Sequence, residues 1–375
     1  MGIKNLHQFL RKACPLIYTE VHLSKYSYKK VAIDTSIYMC KFKTTYGKQW
    51  LDAFMQLTIL FRENEVHPIF VYDTRFPPEK EQEKKNRTMA RLKTKEKADN
   101  ILAEWEAYKG RFQDHPEYFI SSSATPNPLP IRYDDLGEDL REFLLKQYNK
   151  RETLMVAEVD RDIDHLISTL LSIRTEDFDL TRRLFTILGI AWINAPGEAE
   201  ATCAILNRNG YVDAVLSEDT DVLNYRADKF LHRLNLQSQM VIEIDYEDMI
   251  ARLDLSKEQF LDFCIMCGTD YNTNLFKIGP EKSYRLLKKY GSLEQIRHHN
   301  KNLDMSDFHF ERVREIFLDD QSLDPVEHLS RLVYSHAPDV QQLVEFCFEN
   351  NCRTDVLALC RAFTQNPHIL FEEEI

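Results

Sequence analysis

Residues 189–221 read GIAWINAPGEAEATCAILNRNGYVDAVLSEDTD, and their reading decides the fold. Gly189 to Asn194 is a short strand-forming run, stopped by Pro196. A helix follows from about Gly197 to Asn209. A second strand, Tyr211 to Ser217, runs into Glu218-Asp-Thr-Asp221. Strand, helix and strand in so short a span form a parallel crossover unit. The same punctuation recurs upstream. Lys30-Val-Ala-Ile-Asp34 and His67-Pro-Ile-Phe-Val-Tyr-Asp73 are strands that each end on an acid, with a helix-period stretch from Leu51 to Asn64 between them. Lys229–Leu234 and Met240–Ile244 read as a hairpin, and beyond Asp270 the chain reads as helices only. The expectation is an α/β fold built on a mostly parallel, doubly wound sheet with an all-helical C-terminal region.

Composition narrows the classes. The 375 residues are 43% hydrophobic and 29% charged, an ordinary globular balance that excludes wholesale disorder. A net charge of -12 excludes a polycationic DNA coat, so any nucleic-acid contact must use a local basic patch. The 8 Cys are scattered, which does not suit a secreted disulfide scaffold. The N-terminus shows no signal-peptide core, Leu6 stands where myristoylation needs Ser or Thr, and the apolar runs are too short for a bilayer. A soluble chain in a reducing compartment is expected.

In open parallel sheets, ligands bind beyond the carboxyl ends of the strands. Asp34, Asp73 and the Asp219/Asp221 pair stand at such ends. Glu198 and Glu200 open the helix after the third strand, and Asp270 follows a helix and a Gly-Thr turn. Singly, each is an ordinary turn, cap or complement to a helix dipole. Their recurrence at several strand ends points further. Converging carboxylates repel one another unless divalent cations enter. An all-oxygen set suits Mg²⁺ or Mn²⁺ rather than zinc. Two such ions about 4 Å apart are the apparatus of phosphodiester hydrolysis.

Met1-Gly-Ile-Lys-Asn-Leu6, Val31-Ala-Ile-Asp34, Phe70-Val-Tyr-Asp73, Leu188-Gly-Ile190, Ala195-Pro-Gly-Glu-Ala-Glu-Ala201, Ser217-Glu-Asp-Thr-Asp221, Gly268-Thr-Asp-Tyr271 and Ile278-Gly-Pro280 occur in that order. With these blocks the chain resembles the structure-specific 5′ nucleases, most closely the flap endonucleases, to about residue 360. The resemblance implies cleavage of 5′ flaps on branched DNA, with two Mg²⁺ ions (or Mn²⁺) held by Asp34, Asp73, Glu198, Glu200, Asp219, Asp221 and Asp270. A 5′→3′ exonuclease of the same family is the first alternative. A non-catalytic DNA-junction-binding protein is the second, but its expected loss of carboxylates is absent. An acidic α/β phosphatase would need none of the DNA-binding segments.

Pro77 to about Lys109 is polar and helix-prone, with no apolar face fit for a core helix. Alone, such a charge run is a solvated helix. In the resembling family it is a helical arch, and a Lys and an Arg seven residues apart contact the scissile phosphate. Lys80 and Arg87 keep that spacing, Arg91 extends the face, and Lys84 or Lys85 could stand in for one of the pair. Residues 268–282 correspond to the family's helix-two-turn-helix, which grips duplex backbone with a K⁺ ion. Gly268, Lys277, Gly279, Lys282 and Lys288 are the implied contacts. Tyr38 is the candidate for the ring that stacks on a base. Cys264 and Cys267 form a lone CxxC in an apolar stretch and read as core.

The stretch before Glu198 is longer than in typical flap endonucleases, which gives an expected organisation of 1–110 (nuclease region with the arch), 111–159 (cap insertion, opening on the loop SSSATPNPLP), 160–300 (nuclease region with the helix-two-turn-helix) and 301–375 (helices and acidic tail). The expected partner is branched or nicked duplex DNA with a 5′ single strand, bound by a monomer without a membrane. Sliding-clamp binding is not expected, since Phe371-Glu-Glu-Glu-Ile375 carries no clamp peptide. The expected location is a site of DNA replication or repair, in a nucleus or a viral replication compartment.

Overall fold

Val31, Ala32 and Ile33, and Ile69 through Tyr72, are fully buried, because continuous apolar runs are what parallel strands covered on both faces require. The computed structural model describes residues 2–119, 127–170, 172–275, 277–301, 303–306, 308–319 and 338–364. Most of the expected SSSATPNPLP loop and the acidic tail lie outside them. The strands are β1 (Thr19–His22), β2 (Lys30–Asp34), β3 (His67–Tyr72), β4 (Leu129–Pro130), β5 (Thr153–Leu154), β6 (Ala191–Asn194), β7 (Ala214–Leu216), β8 (Lys229–His232) and β9 (Met240–Asp245). One sheet runs β1-β9-β8-β7-β2-β3-β6. Its β8-β7-β2-β3-β6 portion is parallel, and β9 pairs antiparallel with β8 and β1. The expected α/β sheet and its hairpin are therefore present.

The chain leaves β2 toward β3 and leaves β7 toward β8, in opposite directions across the sheet. Strand order reverses between neighbours β2 and β7, and the crevice beyond their carboxyl ends is where such sheets bind ligands. Asp34 closes β2, and Ser217-Glu218-Asp219 follows β7.

The chain forms two compact units: Met1–Lys41, Leu51–Glu83 and Arg174–Ile375 make one, and Phe42–Trp50 with Lys84–Ile173 the other. The expected cap insertion, 111–159, falls inside the second. The helices up to its end are α1 (Leu6–Ala13), α2 (Thr35–Tyr46), α3 (Trp50–Glu63), α4 (Glu81–Gly110), α5 (Glu138–Tyr148) and α6 (Val156–Ser168). This unit corrects one expectation. The first half of α4 is largely exposed, but its second half has a core face: Ala98, Ile101, Trp105 and Tyr108 are buried, the last three with Leu140, Leu144, Val159 and Ile163 of α5 and α6. The spacing 98, 101, 105, 108 is helical, and the dense charges around it masked the stripe. Trp105 Nε1 donates to Asp160 at 2.7 Å, and Glu104 accepts from the Leu140 amide at 2.8 Å.

The first unit adds α7 (Thr175–Ile187), α8 (Ala199–Arg208), α9 (Asp221–Asn224), α10 (Tyr246–Leu253), α11 (Lys257–Cys267), α12 (Pro280–Tyr290), α13 (Leu293–His299), α14 (Phe310–Leu318), α15 (Val340–Glu349) and α16 (Val356–Thr364). Helix α8 packs on β2, β3 and β7. Its Ala199, Ala201, Cys203 and Ala204 are fully buried, and small side chains let the helix lie close on the strands. Helix α11 opens with a reciprocal capping box between Ser256 and Gln259. Cys264 and Cys267 are buried free thiols, as the core reading expects.

Candidate active site

Backbone hydrogen bonding sets the acids at the strand ends. Asp34 accepts from the Ile37 amide at 3.2 Å and from the Ser217 hydroxyl at 3.2 Å, which ties the end of β2 to the end of β7. Asp73, just past β3, accepts from the Ala199 amide at 2.7 Å, an orphan donor of the first turn of α8. Glu198 stands at the N-cap position of that helix with its carboxylate free of the helix amides, and Glu200 lies in its first turn. Asp219 accepts from the Asp221 amide at 3.0 Å. Gly268 ends α11 with φ +94°, and an added Cβ would stand 2.9 Å from the Asn274 amide nitrogen. Only glycine allows this turn, which is followed at once by Asp270.

Six of the seven acids are buried, and Asp73 is half-buried. Lys80, itself buried, reaches into the cluster. Its ammonium donates to Glu198 and lies 3.4 Å from both Glu200 and Asp270. Tyr271 donates to the other oxygen of Glu198, and the Tyr271 and Tyr225 hydroxyls hydrogen-bond at 2.6 Å. Both oxygens of Asp221 are buried with no hydrogen-bond partner among the described residues.

Proton affinities follow this crowding. Burial, then Glu200 and Asp73, push Asp34 well up. Burial, then Asp219 and Asp270, do the same to Asp221. Burial and Glu200 raise Glu198 to about 7 against the pull of Lys80, and raise Asp219 to about 6. Burial pulls Lys80 down, but Glu200, Glu198 and Asp270 outweigh it and leave the ammonium firmly charged. The cluster is short of positive charge.

Whether divalent cations suit these residues can be judged from the donors. All are oxygens, and Asp221 has two buried lone-pair groups with no other use, so the chemistry fits hard cations. Among the described residues no three acids already form a finished cage. Lys80 takes the place between Glu198, Glu200 and Asp270.

The remaining candidates are placed as follows. Lys80 ends a 3-10 turn, Pro78–Lys80, ahead of α4. Arg87 is half-buried and Arg91 exposed, both on the part of α4 in the second unit. Lys277, Gly279 and Lys282 are exposed around the start of α12, and a Cβ at Gly279 would meet nothing within 4 Å. Lys288 is exposed but bound to Asp254, with Nζ 2.5 Å from Oδ2 and 2.7 Å from the carbonyl. Two expectations need correction. Tyr38 is 1% exposed, so its ring offers no face to a base. Gly268 is buried, and its role is the turn before Asp270 rather than a DNA contact.

Sequence reasoning missed the N-terminal contact. Gly2 has φ +78°, and a Cβ there would stand 2.1 Å from Asp219 Oδ1. The Ile3 amide donates to the Thr220 hydroxyl at 2.9 Å. It also missed Tyr225 and the role of Tyr271. Tyr271 adjoins Asp270 in the quoted block, which was a usable signal; nothing local marks Tyr225.

Residues 1–94 match the XPG N-terminal domain and residues 189–270 the XPG I-region. A probable RAD2-like endonuclease of Invertebrate iridescent virus 3 is 32% identical over 340 residues, covering 84% of this chain and 85% of that one. The chain belongs to the XPG/flap endonuclease family of nucleases. Flap endonuclease 1 of Lodderomyces elongisporus is 28% identical over 374 residues, 93% of this chain and 83% of that one. In fold, the nuclease is similar to flap endonuclease-1 from Methanococcus jannaschii (TM-score 0.57, 17% identity, 94% of this chain and 96% of that one). It is likewise similar to human GEN1 in complex with Holliday junction DNA (TM-score 0.59, 17% identity, 96% and 76%). It is a structure-specific nuclease, a hydrolase of DNA phosphodiesters, from a family that depends on divalent metal ions. No helix among the described residues is long and apolar enough to cross a membrane.

Proposed function

We propose that this nuclease cleaves 5′ flaps on branched DNA with two Mg²⁺ ions, held by Asp34, Asp73, Glu198, Glu200, Asp219, Asp221 and Asp270. The observation that carries the reading is the convergence of these acids, six of them buried, beyond the carboxyl ends of β2, β3 and β7, with Asp221 left without a hydrogen-bond partner among the described residues. Bound divalent ions would supply an activated water and neutralise phosphate charge. The chain's own side chains do the rest. Asp34 and Ser217 keep the ends of β2 and β7 together. Asp73 and the first turn of α8 hold Glu198 and Glu200 in place. Lys80 supplies a charged ammonium whose hydrogen bonds can pass from carboxylate to phosphate; the family resemblance makes Arg87 the second cation for the scissile phosphate and Arg91 a further DNA contact.

The start of α12 supports a duplex grip through Lys277 and Lys282, which would contact phosphates and read no sequence. A K⁺ ion at that loop, a monomeric state and a working place in DNA replication or repair belong to the same proposal. The test is one preparation assayed on 5′-flap, nicked, blunt and four-way-junction DNA with Mg²⁺. Preferential cleavage at the base of the flap supports the reading. Processive release of nucleotides from blunt 5′ ends with flaps untouched refutes it in favour of an exonuclease.

A further inference from the structure

The inference that follows rests on the reading that Lys80 acts at the reacting phosphate. Lys80 stands on a three-residue turn, Pro78–Lys80, so something must hold that turn. Helix α14 is suited to do so. It is mounted firmly: the Arg314 guanidinium grips both oxygens of buried Asp262 at 2.6 Å, and Asp262 also accepts from the Leu293 amide at 3.1 Å. Phe310, Val313 and Phe317 bury its apolar face.

From this fixed helix two side chains reach the surroundings of Lys80. Arg312 Nε donates to Glu79 Oε1 at 2.7 Å, and Glu79 is the residue just before Lys80. Phe317 packs against Tyr225 and Tyr271, with ring centroids 4.9 and 5.1 Å apart. That tyrosine pair holds Glu198, the acid that accepts from Lys80. A cavity of about 680 Å³ between α14 and the turn is lined by Pro77, Pro78, Glu198, Tyr225 and Arg312, so the turn has room to move if it is released.

We propose that Arg312 is a positioning residue for the nuclease reaction. Through Glu79 it fixes the backbone of Lys80, so that the ammonium swings between the carboxylates and the phosphate about an anchored Cα. The pair adds little to stability, because Arg312 is half exposed and exposed ion pairs are weak. Its value is geometric, since small misplacements of a positioned group cost large factors in rate.

The test compares Arg312→Gln, Glu79→Gln and the charge swap Glu79→Arg with Arg312→Glu. The first readout needs neither metal nor DNA: the rate of backbone amide hydrogen exchange over residues 79–83 in the metal-free protein, followed by peptide mass spectrometry. The second is single-turnover cleavage at saturating enzyme, beside the DNA dissociation constant. Each single variant should speed exchange over residues 79–83 about 10-fold and slow single-turnover cleavage about 10-fold, with affinity within about 2-fold. The swap should recover at least about half of each effect on a logarithmic scale, as coupled partners do. Arg297→Gln breaks the pair between Arg297 of α13 and Glu311 of α14 and should change neither readout. Wild-type exchange in Arg312→Gln, absence of rescue by the swap, or an equal effect from Arg297→Gln overturns the proposal. Separately, normal single-turnover cleavage by Lys80→Ala refutes the catalytic reading of Lys80, while the exchange comparison still decides whether Arg312 anchors the turn.

Discussion

Asp221→Asn should make the metal-free protein more stable and the enzyme inactive. Asp221 is fully buried, and neither carboxylate oxygen has a hydrogen-bond partner among the described residues. In the metal-free protein this carboxyl is either charged without a partner or protonated against its ordinary acidity, at a cost of about 3–5 kcal/mol. Asparagine keeps the shape and removes the charge, but leaves an unpartnered amide that costs about 1–3 kcal/mol. The difference favours the variant by about 2 kcal/mol, or a few degrees in Tm for a unit of this size. Asp219 and Asp270 reinforce the sign, because each repels a charge at Asp221. The assay is thermal unfolding in chelator, repeated with millimolar Mg²⁺, beside single-turnover cleavage of a 5′ flap. In chelator the variant should melt higher. In Mg²⁺ the wild type should gain more than the variant, because a ligand that binds only the folded state stabilises it. A variant that melts lower than wild type in chelator, or that cleaves at the wild-type rate, refutes the reasoning that this acid is kept for metal at the expense of the fold.

Burial first, then His7 and Arg233, lower His232 to about 3, so the folded state keeps it neutral. The unfolded chain takes up the proton below about pH 6.5, so the stability contributed by neutral His232 above that pH should fall by about 2 kcal/mol on going to pH 5, against the opposite trend of the raised Glu198 and Asp219 in the metal-free protein. His232→Phe should flatten this loss in denaturant titrations at pH 7 and pH 5, and an unchanged difference would count against it. Lys282 makes no ion pair among the described residues, whereas Lys288 is held by Asp254. Lys282→Ala should therefore lower the salt slope of DNA binding by about one, and Lys288→Ala by less; equal reductions would show that the Asp254 pair opens on DNA. Gly2→Ala places a Cβ against Asp219 Oδ1 in a positive-φ backbone. It should slow single-turnover cleavage by about 10-fold without unfolding the protein, since the clash falls on a positioned acid; a normal rate would mean the N-terminus yields freely.

What was legible in the sequence is what repeats locally. Strands closed by acids, and a crossover unit with acids at both strand ends, announce the sheet and the cluster, because a parallel sheet collects its carboxyl ends on one edge. The core face of α4 was legible in principle through Ala98, Ile101, Trp105 and Tyr108, but surrounding charge diluted the pattern. Tyr38 shows the opposite failure: the family resemblance implied a base-stacking ring on this helix, while the packing of α2 turns Tyr38 inward. The partners of Lys80 could not be read at all. Arg312 lies far along the chain from Glu79, and only tertiary structure brings them within 2.7 Å. The same holds for Tyr225 beside Tyr271 and for Gly2 beside Asp219. The division has a physical cause. Residues that meet the reacting groups are set by strand and helix ends, which local sequence encodes. Residues that hold those groups in place come from wherever the fold has a rigid element nearby, here α14 and the N-terminus. Substitutions at the first set should remove chemistry outright, whereas those at the second should lower it in steps and be rescued by partner exchange.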